Sequence, residues 1–344
     1  MLKNNEERSF INLMRGIAIF LMLWGHSIQY CCGQQFDFFE NWAFKIIYTF
    51  HMPLFMVISG YLFFFSAQKR NFEELILYRT KSLLYPILMC SILNFILTTS
   101  VPSLIYGVYS DIIGSPSLMM LWFLWSVLSA SFAVSIAVKI TDNVIIQTIL
   151  LIIGILIVPY FPCSTENIFM YPYFVLGYLY ARNRMRINRF IYNLIGIISI
   201  LSFLIMLFNY EKEHYIYTSG LFGGNTLLDS IKIDFFRWGI GIFGSVAIIW
   251  ICRHVKNLRI CKCIEYMGKN SLAMYALSVS LLSYYLPLVS NKILEFMPWV
   301  DWNKNIAVYN LLITPGIAII YCFALSHIIK ILKKIKLYKI VFGR

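Results

Sequence analysis

Polarity along the chain is segmented. Ten mostly apolar stretches alternate with short polar connections, at about 10–30, 42–65, 83–100, 118–138, 144–160, 168–182, 189–209, 235–252, 270–290 and 306–330. A helix needs about 20 apolar residues to cross a bilayer. Backbone in lipid must also satisfy its own hydrogen bonds, so each stretch predicts a transmembrane helix. The fifth and sixth stretches are short, and Pro159 and Pro162 lie between them. The expectation is an all-α integral membrane protein of about ten transmembrane helices, forming a single domain over residues 1–344. No internal repeat is apparent, which weakens the case for a transporter built from two related halves.

Composition agrees with this pattern. Sixty per cent of the residues are hydrophobic and 13% are charged, against about 25% charged in soluble globular chains. The first apolar stretch is too long for a cleavable signal, carries Arg15 and His26, and lacks a small-residue cleavage site. It is expected to remain as a span. The charges are sided. Lys69, Arg70, Arg79 and Lys81 lie between spans two and three, and Arg182, Arg184, Arg186 and Arg189 between six and seven. Arg253, Lys256, Arg259, Lys262 and Lys269 lie between eight and nine, and a basic tail from Lys330 to Arg344 closes the chain. The alternate connections hold Asp37, Glu40, Asp111, Glu166, Glu211, Glu213, Asp229, Asp234, Glu295 and Asp301. Basic loops stay in the cytoplasm, so both termini are expected there. The net charge of +13 then follows from topology and lipid headgroups, with no nucleic-acid partner. The longest polar stretches, about 210–234 and 287–305, fall on the opposite side.

Chemistry concentrates between Arg15 and Leu62. Ionisable residues inside a span are costly and usually face a bundle interior or a wet cavity. Arg15 and His26 are eleven residues apart, about 1100° round a helix, so they share one face some ~16 Å apart along the axis. His51 lies in the second span, which a short turn makes the antiparallel neighbour of the first, and Pro53 follows it. A proline frees a carbonyl and kinks its helix, while Ser59-Gly60 permits close helix contact. One buried histidine has an ordinary explanation as a packed, hydrogen-bonded side chain; two on adjacent helices point to a polar pocket. Cysteines contribute little. Cys261 and Cys263 have no second ligand pair nearby, so no metal site is expected. A bridge from Cys163 to Cys31 or Cys32 is an alternative to unpaired thiols.

MRGIAIFLMLWGH at 14–26 and FHMPLFMVISGYLF at 50–63 together resemble the paired signatures of the acyltransferase-3 family of integral membrane acyltransferases. LWFLWSVL at 121–128, YFVLGYLYAR at 173–182 and KNSLAMY at 269–275 extend the resemblance along most of the chain. The resemblance implies O-acylation of cell-surface glycans or lipid-linked sugars in the cytoplasmic (inner) membrane, with acyl-CoA, acetyl-CoA above all, as cosubstrate and no tightly bound cofactor. Three positions depart from the family pattern. Asn12 stands where an acidic residue is common, Arg79-Thr80-Lys81-Ser82 replaces an Arg-x-x-Arg pair, and Ser278 stands where a histidine often follows Tyr275.

Acyl transfer from a thioester to a hydroxyl needs a base and donors for the developing oxyanion. The resemblance implies His26 as base, or as a nucleophile that carries the acyl group. His51 then orients His26, donates to the oxyanion or binds the acceptor. Arg15, Arg79 and Lys81 suit the phosphates and carbonyls of the donor. Trp122 suits stacking on the acceptor sugar, or membership of an aromatic belt. The competing function from another class is a transporter or flippase of saccharide intermediates, with the histidines relaying protons.

Overall fold

The computed structural model describes residues 5–99, 121–183, 188–221, 223–224, 226–255 and 260–342, and among them every regular element is helical. Asp111, Arg184, Arg186, Lys256, Arg259 and Arg344, counted among the sided charges, lie outside the described residues, as do 100 and 118–120 at the edges of two predicted spans.

In chain order the helices are α1 (Asn5–Cys31), α2 (Trp42–Ala67), α3 (Phe72–Thr99), α4 (Trp122–Ile140), α5 (Val144–Ile153), α6 (Ser164–Asn183) and α7 (Arg189–Phe208). They continue with α8 (Ile216–Ser219), α9 (Leu227–Val255), α10 (Ile260–Lys269), α11 (Ser271–Phe296), α12 (Ile306–Val308), α13 (Thr314–Lys334) and α14 (Leu337–Phe342). A π-helical stretch, Tyr309–Ile313, joins α12 to α13.

Among the described residues, seven helices are long and apolar enough to cross a membrane: α1, α2, α4, α7, α9, the Phe72–Leu93 part of α3, and Ile306–Lys334. The other three predicted spans also fall on helix, within α5, α6 and α11. Two of them are limited for local reasons. α5 gives way to two 3₁₀ turns, Gly154–Leu156 and Val158–Tyr160, where Pro159 cannot continue an α-helix. α6 opens with Ser164, Thr165 and Glu166 and ends in Arg182 and Asn183, which dilute its apolar character.

One boundary differs from the expectation. α9 begins at Leu227 rather than near 235, so the last eight residues of the predicted polar stretch at 210–234 are helical. Thr226 accepts the Asp229 backbone N–H at 3.1 Å and donates to its carboxylate at 2.7 Å, a side-chain cap for the first turn. Asp234 and Arg237, one turn apart, form a buried ion pair at 2.7 Å.

Burial is uneven along the chain. α1, α2 and α4 are mostly enclosed, whereas α7 exposes Ile195, Ile198, Leu201 and Ile205 along its length. An exposed apolar stripe of that length suits lipid contact. At the centre, α2 crosses α6 through two glycines: a Cβ on Gly60 would lie 1.9 Å from the Phe174 carbonyl oxygen, and one on Gly177 1.9 Å from that of Val57. Backbones can approach this closely only without side chains. Despite Pro53, α2 is one continuous helix.

Candidate active site

Five helices wall a cavity of about 290 Å³ at the basic end of the bundle. α1 contributes Arg15, α2 contributes Phe55, Ser59, Leu62 and Ser66, and α3 contributes Tyr78 and Arg79. Phe123 and Val127 of α4 and Ser271 and Tyr275 of α11 complete it. The Arg79 guanidinium lies over the Phe63 ring, 4.8 Å from its centroid. Arg70 sits 3.8 Å above the Tyr78 ring and donates to Ser66 Oγ at 3.1 Å, so a further cation abuts two lining residues. Tyr275 is 6% exposed; its hydroxyl oxygen faces the Phe123 backbone N–H, and among the described residues its proton finds no acceptor. Leaving such a group unpaired costs about 1–3 kcal/mol, which a ligand acceptor would offset.

Towards the other end of α1 lies a neutral, hydrogen-bonded cluster. His26 Nδ1 is 3.2 Å from Gln29 Oε1 and 3.2 Å from the Tyr48 hydroxyl. The His26 ring stacks on Tyr30, with centroids 5.5 Å apart. His51 is buried, donates from Nδ1 to the Ile47 carbonyl at 2.8 Å, and meets the Tyr48 ring edge-on at 4.8 Å. The local sequence explains the cluster. His26 and Gln29, and Tyr48 and His51, are each three apart and share a helix face. Gly25 leaves room for Tyr48, because a Cβ there would lie 2.6 Å from its ring.

A folded connection, residues 209–221, covers the histidine end. Arg237 fastens it, donating to the carbonyls of His214 at 2.9 Å, Gly220 at 2.6 Å and Glu213 at 2.6 Å, and to Ser219 Oγ. Tyr215 donates to the Phe39 carbonyl at 3.0 Å, and Lys212 pairs with Asp37 at 2.5 Å. That hydrogen bond from Lys212 holds the Asp37 carboxyl below its usual range. Tyr217, in α8, is 46% exposed. Burial, then Tyr48, Glu166 and Tyr275, hold its phenol well above the ordinary value. Trp122, half-buried, meets Tyr217 edge-on at 6.0 Å. Tyr217 therefore stands between the neighbours of His26 and the wall of the arginine cavity.

Of the six residues singled out from sequence, Arg15 and Arg79 face one cavity, and His26 and His51 share Tyr48 as a neighbour. Lys81 joins neither group: two residues beyond Arg79 is about 200° round the helix, and its side chain is exposed. Trp122 lies against Tyr217 of α8 instead. Sequence reasoning missed Gln29, Tyr48, Arg70, Tyr217 and Tyr275. For Gln29 and Tyr48 the signal was there, since each stands one turn from a histidine. Ser278, in place of the family's histidine, is fully buried and donates to the Tyr275 carbonyl at 2.8 Å.

Helices of this length and apolarity, with charged and titratable side chains turned inward, define a multi-pass membrane protein with a polar interior. The chain belongs to the acyltransferase-3 family: the family's acyltransferase domain matches residues 8–327. It is also similar to two proteins named nodulation protein NolL. The Mesorhizobium japonicum protein is 30% identical over 233 residues, covering 63% of this chain and 60% of the relative. The Sinorhizobium fredii protein is 31% identical over 191 residues, covering 52% of this chain and 50% of the relative. The chain thus spans about half to three-fifths of the curated relatives it matches. No solved structure matches it.

Proposed function

We propose that this acyltransferase moves an acyl group, acetyl above all, from acyl-CoA to a hydroxyl of a glycan or lipid-linked saccharide at the cytoplasmic membrane. The observation that carries the reading is the pairing of two sites along α1. Arg15 and Arg79, from separate helices, face one cavity, and His26 lies three turns from Arg15 on the same helix. Guanidinium groups bind phosphate and carbonyl oxygens with charge-assisted bonds, which suits coenzyme A entering from a basic, cytoplasmic end. Arg70, beside Tyr78 and Ser66, extends the same field, and Lys81 contributes charge to that face of the membrane. The sidedness of the described basic residues supports cytoplasmic termini.

In this mechanism His26 takes the proton of the acceptor hydroxyl as its oxygen attacks the thioester carbonyl. The tetrahedral intermediate collapses with loss of the carbon–sulfur bond, and the imidazolium returns the proton to the departing thiolate. The Tyr275 hydroxyl supplies a donor for an oxygen of the donor. His51 holds Tyr48 in place, and Trp122 and Tyr217 offer aromatic faces to the acceptor.

The test uses purified protein in nanodiscs with acetyl-CoA and a saccharide acceptor, following free thiol and acylated product by mass. Wild type should release thiol in step with product, and His26→Gln should bind acetyl-CoA but transfer nothing. Normal transfer by His26→Gln, or binding of acetyl-CoA by wild type without transfer to any saccharide, would overturn the proposal.

A further inference from the structure

We infer that Gln29 and Tyr48 hold His26 as its Nδ1–H tautomer, leaving Nε2 as the atom that takes the proton of the acceptor. This rests on the role of His26 as base proposed above. A carbonyl oxygen has no proton to give, so the 3.2 Å contact between Nδ1 and Gln29 Oε1 requires Nδ1–H as donor. The Tyr48 oxygen, 3.2 Å from the same nitrogen, shares that proton and sends its own towards Gln29 Oε1 at 3.5 Å. All three groups are then satisfied together.

The other tautomer fails this count. Its Nδ1 offers a single lone pair, which would point at the lone pairs of Oε1. Reversing the Gln29 amide would let Tyr48 O–H donate to Nδ1 while the amide N–H donates to the Tyr48 oxygen. The Nδ1–H form therefore rests on Gln29 presenting Oε1, as it does here, to both Nδ1 and the Tyr48 hydroxyl. Which nitrogen of a histidine carries the proton is set by the bond that its other nitrogen makes. Here Nδ1 is engaged, and among the described residues no hydrogen bond reaches Nε2. His26 as a residue is only partly buried, and Nε2 is the ring nitrogen left for a substrate.

The device is built into the two helices. Gln29 follows His26 by three residues and so shares its face. Phe44 stacks on Tyr48 with centroids 3.8 Å apart, His51 meets the ring on another side, and Gly25 admits it against α1. During transfer the hydroxyl proton moves to Nε2 while the carbon–oxygen bond forms. The electron pair of the breaking carbon–sulfur bond stays on sulfur, and Nε2 then protonates the thiolate. The Nδ1 proton never leaves, and Gln29 Oε1 steadies the positive charge that the ring carries between the two steps.

The test reads the tautomer directly. Protein with 15N-labelled histidine rings, in lipid and in the neutral range, gives imidazole signals that distinguish protonated from bare nitrogens. The His26 pair is assigned among the five histidines by its loss in His26→Gln. A protonated Nδ1 and bare Nε2 are expected, and a protonated Nε2 overturns the inference whether or not His26 proves to be the base. Gln29→Met removes the acceptor at similar volume and should lower kcat about tenfold or more, with the donor KM unchanged and the tautomer signals mixed. Gln29→Glu keeps an acceptor oxygen and should restore kcat to within a few-fold of wild type. Wild-type kcat and an unmixed tautomer in Gln29→Met would also overturn it. Normal transfer by His26→Gln instead removes the base role and leaves the tautomer reading standing, so the two failures are distinguishable.

Discussion

Arg15 and His26 share one helix, yet their surroundings are of opposite kinds. At Arg15 the protein leaves space: about 290 Å³ bordered by two arginines, a phenol whose proton has no acceptor among the described residues, and several small hydroxyls. At His26 it gathers neutral side chains that satisfy one another, beneath the segment that Arg237 fastens. Room and positive charge suit holding a large anionic donor. A closed neutral network suits moving a proton, because an imidazole among phenols and amides can be held in one tautomer without a permanent charge nearby. The distance of ~16 Å along the axis keeps the guanidinium field off the imidazole, which would otherwise oppose its protonation.

Exchanging the histidine should separate the two ends most sharply. His26→Ala should lower transfer by about 10²–10⁴, the usual loss for a general base, while the affinity for acyl-CoA stays within a few-fold by direct binding. If donor affinity falls with transfer, the two regions are one site and the comparison fails. The arginine end comes next. Arg79→Ala should raise the donor KM roughly ten- to hundredfold with little change in kcat, since a charge-assisted contact is worth about 1.5–3 kcal/mol. Lys81→Ala, on the exposed face of the same helix, should leave the donor KM within about twofold. Equal effects of the two substitutions would mean that charge at the membrane surface, not the cavity, sets donor affinity. Tyr275→Phe should be smaller again, up to about tenfold on the donor KM for one neutral hydrogen bond. A wild-type KM would detach that phenol from the ligand.

What the sequence disclosed follows from how each feature is encoded. Helices such as α2 and α7 were legible because a run of apolar residues is a one-dimensional signal. The start of α9 was not, because Asp229 and Asp234 look like loop charges until Thr226 and Arg237 are seen to engage them. Arg15 and His26 were legible as a pair since helical phase alone puts them on one face. The separation of Lys81 from Arg79 was legible by the same arithmetic, though the charge pair drew attention to both. Arg70 looked like a topology signal, and only its seat against Tyr78 and Ser66 sets it at the cavity. Tyr217 had no signal at all, because α8 is one turn of helix positioned by Arg237 from a distant part of the chain.

The cover over the histidine end gives the smallest expected effect and the one tied to pH. His214 Nδ1 accepts the Glu211 backbone N–H at 2.9 Å, and burial lowers the pKa of its imidazole. Glu213 and Glu211 favour the charged ring, Arg237 opposes it, and burial outweighs them in the net direction. The folded segment therefore prefers neutral His214. Its contribution is fully present above the unfolded value of about 6.5 and is lost as pH falls from there through the lower folded value. Protonation would also cancel the Nδ1 lone pair that closes the 211–214 turn, beside the carbonyl that Arg237 holds. Hydrogen exchange at 211–220, corrected for the intrinsic pH dependence of amide exchange, should thus rise on acidification below about pH 6.5, while corrected exchange along α1 near Arg15 stays constant. His214→Asn should flatten the rise, because asparagine can accept the same backbone N–H without titrating. A rise of equal size in both regions would show general acid loosening, and the cover would then have no separate response.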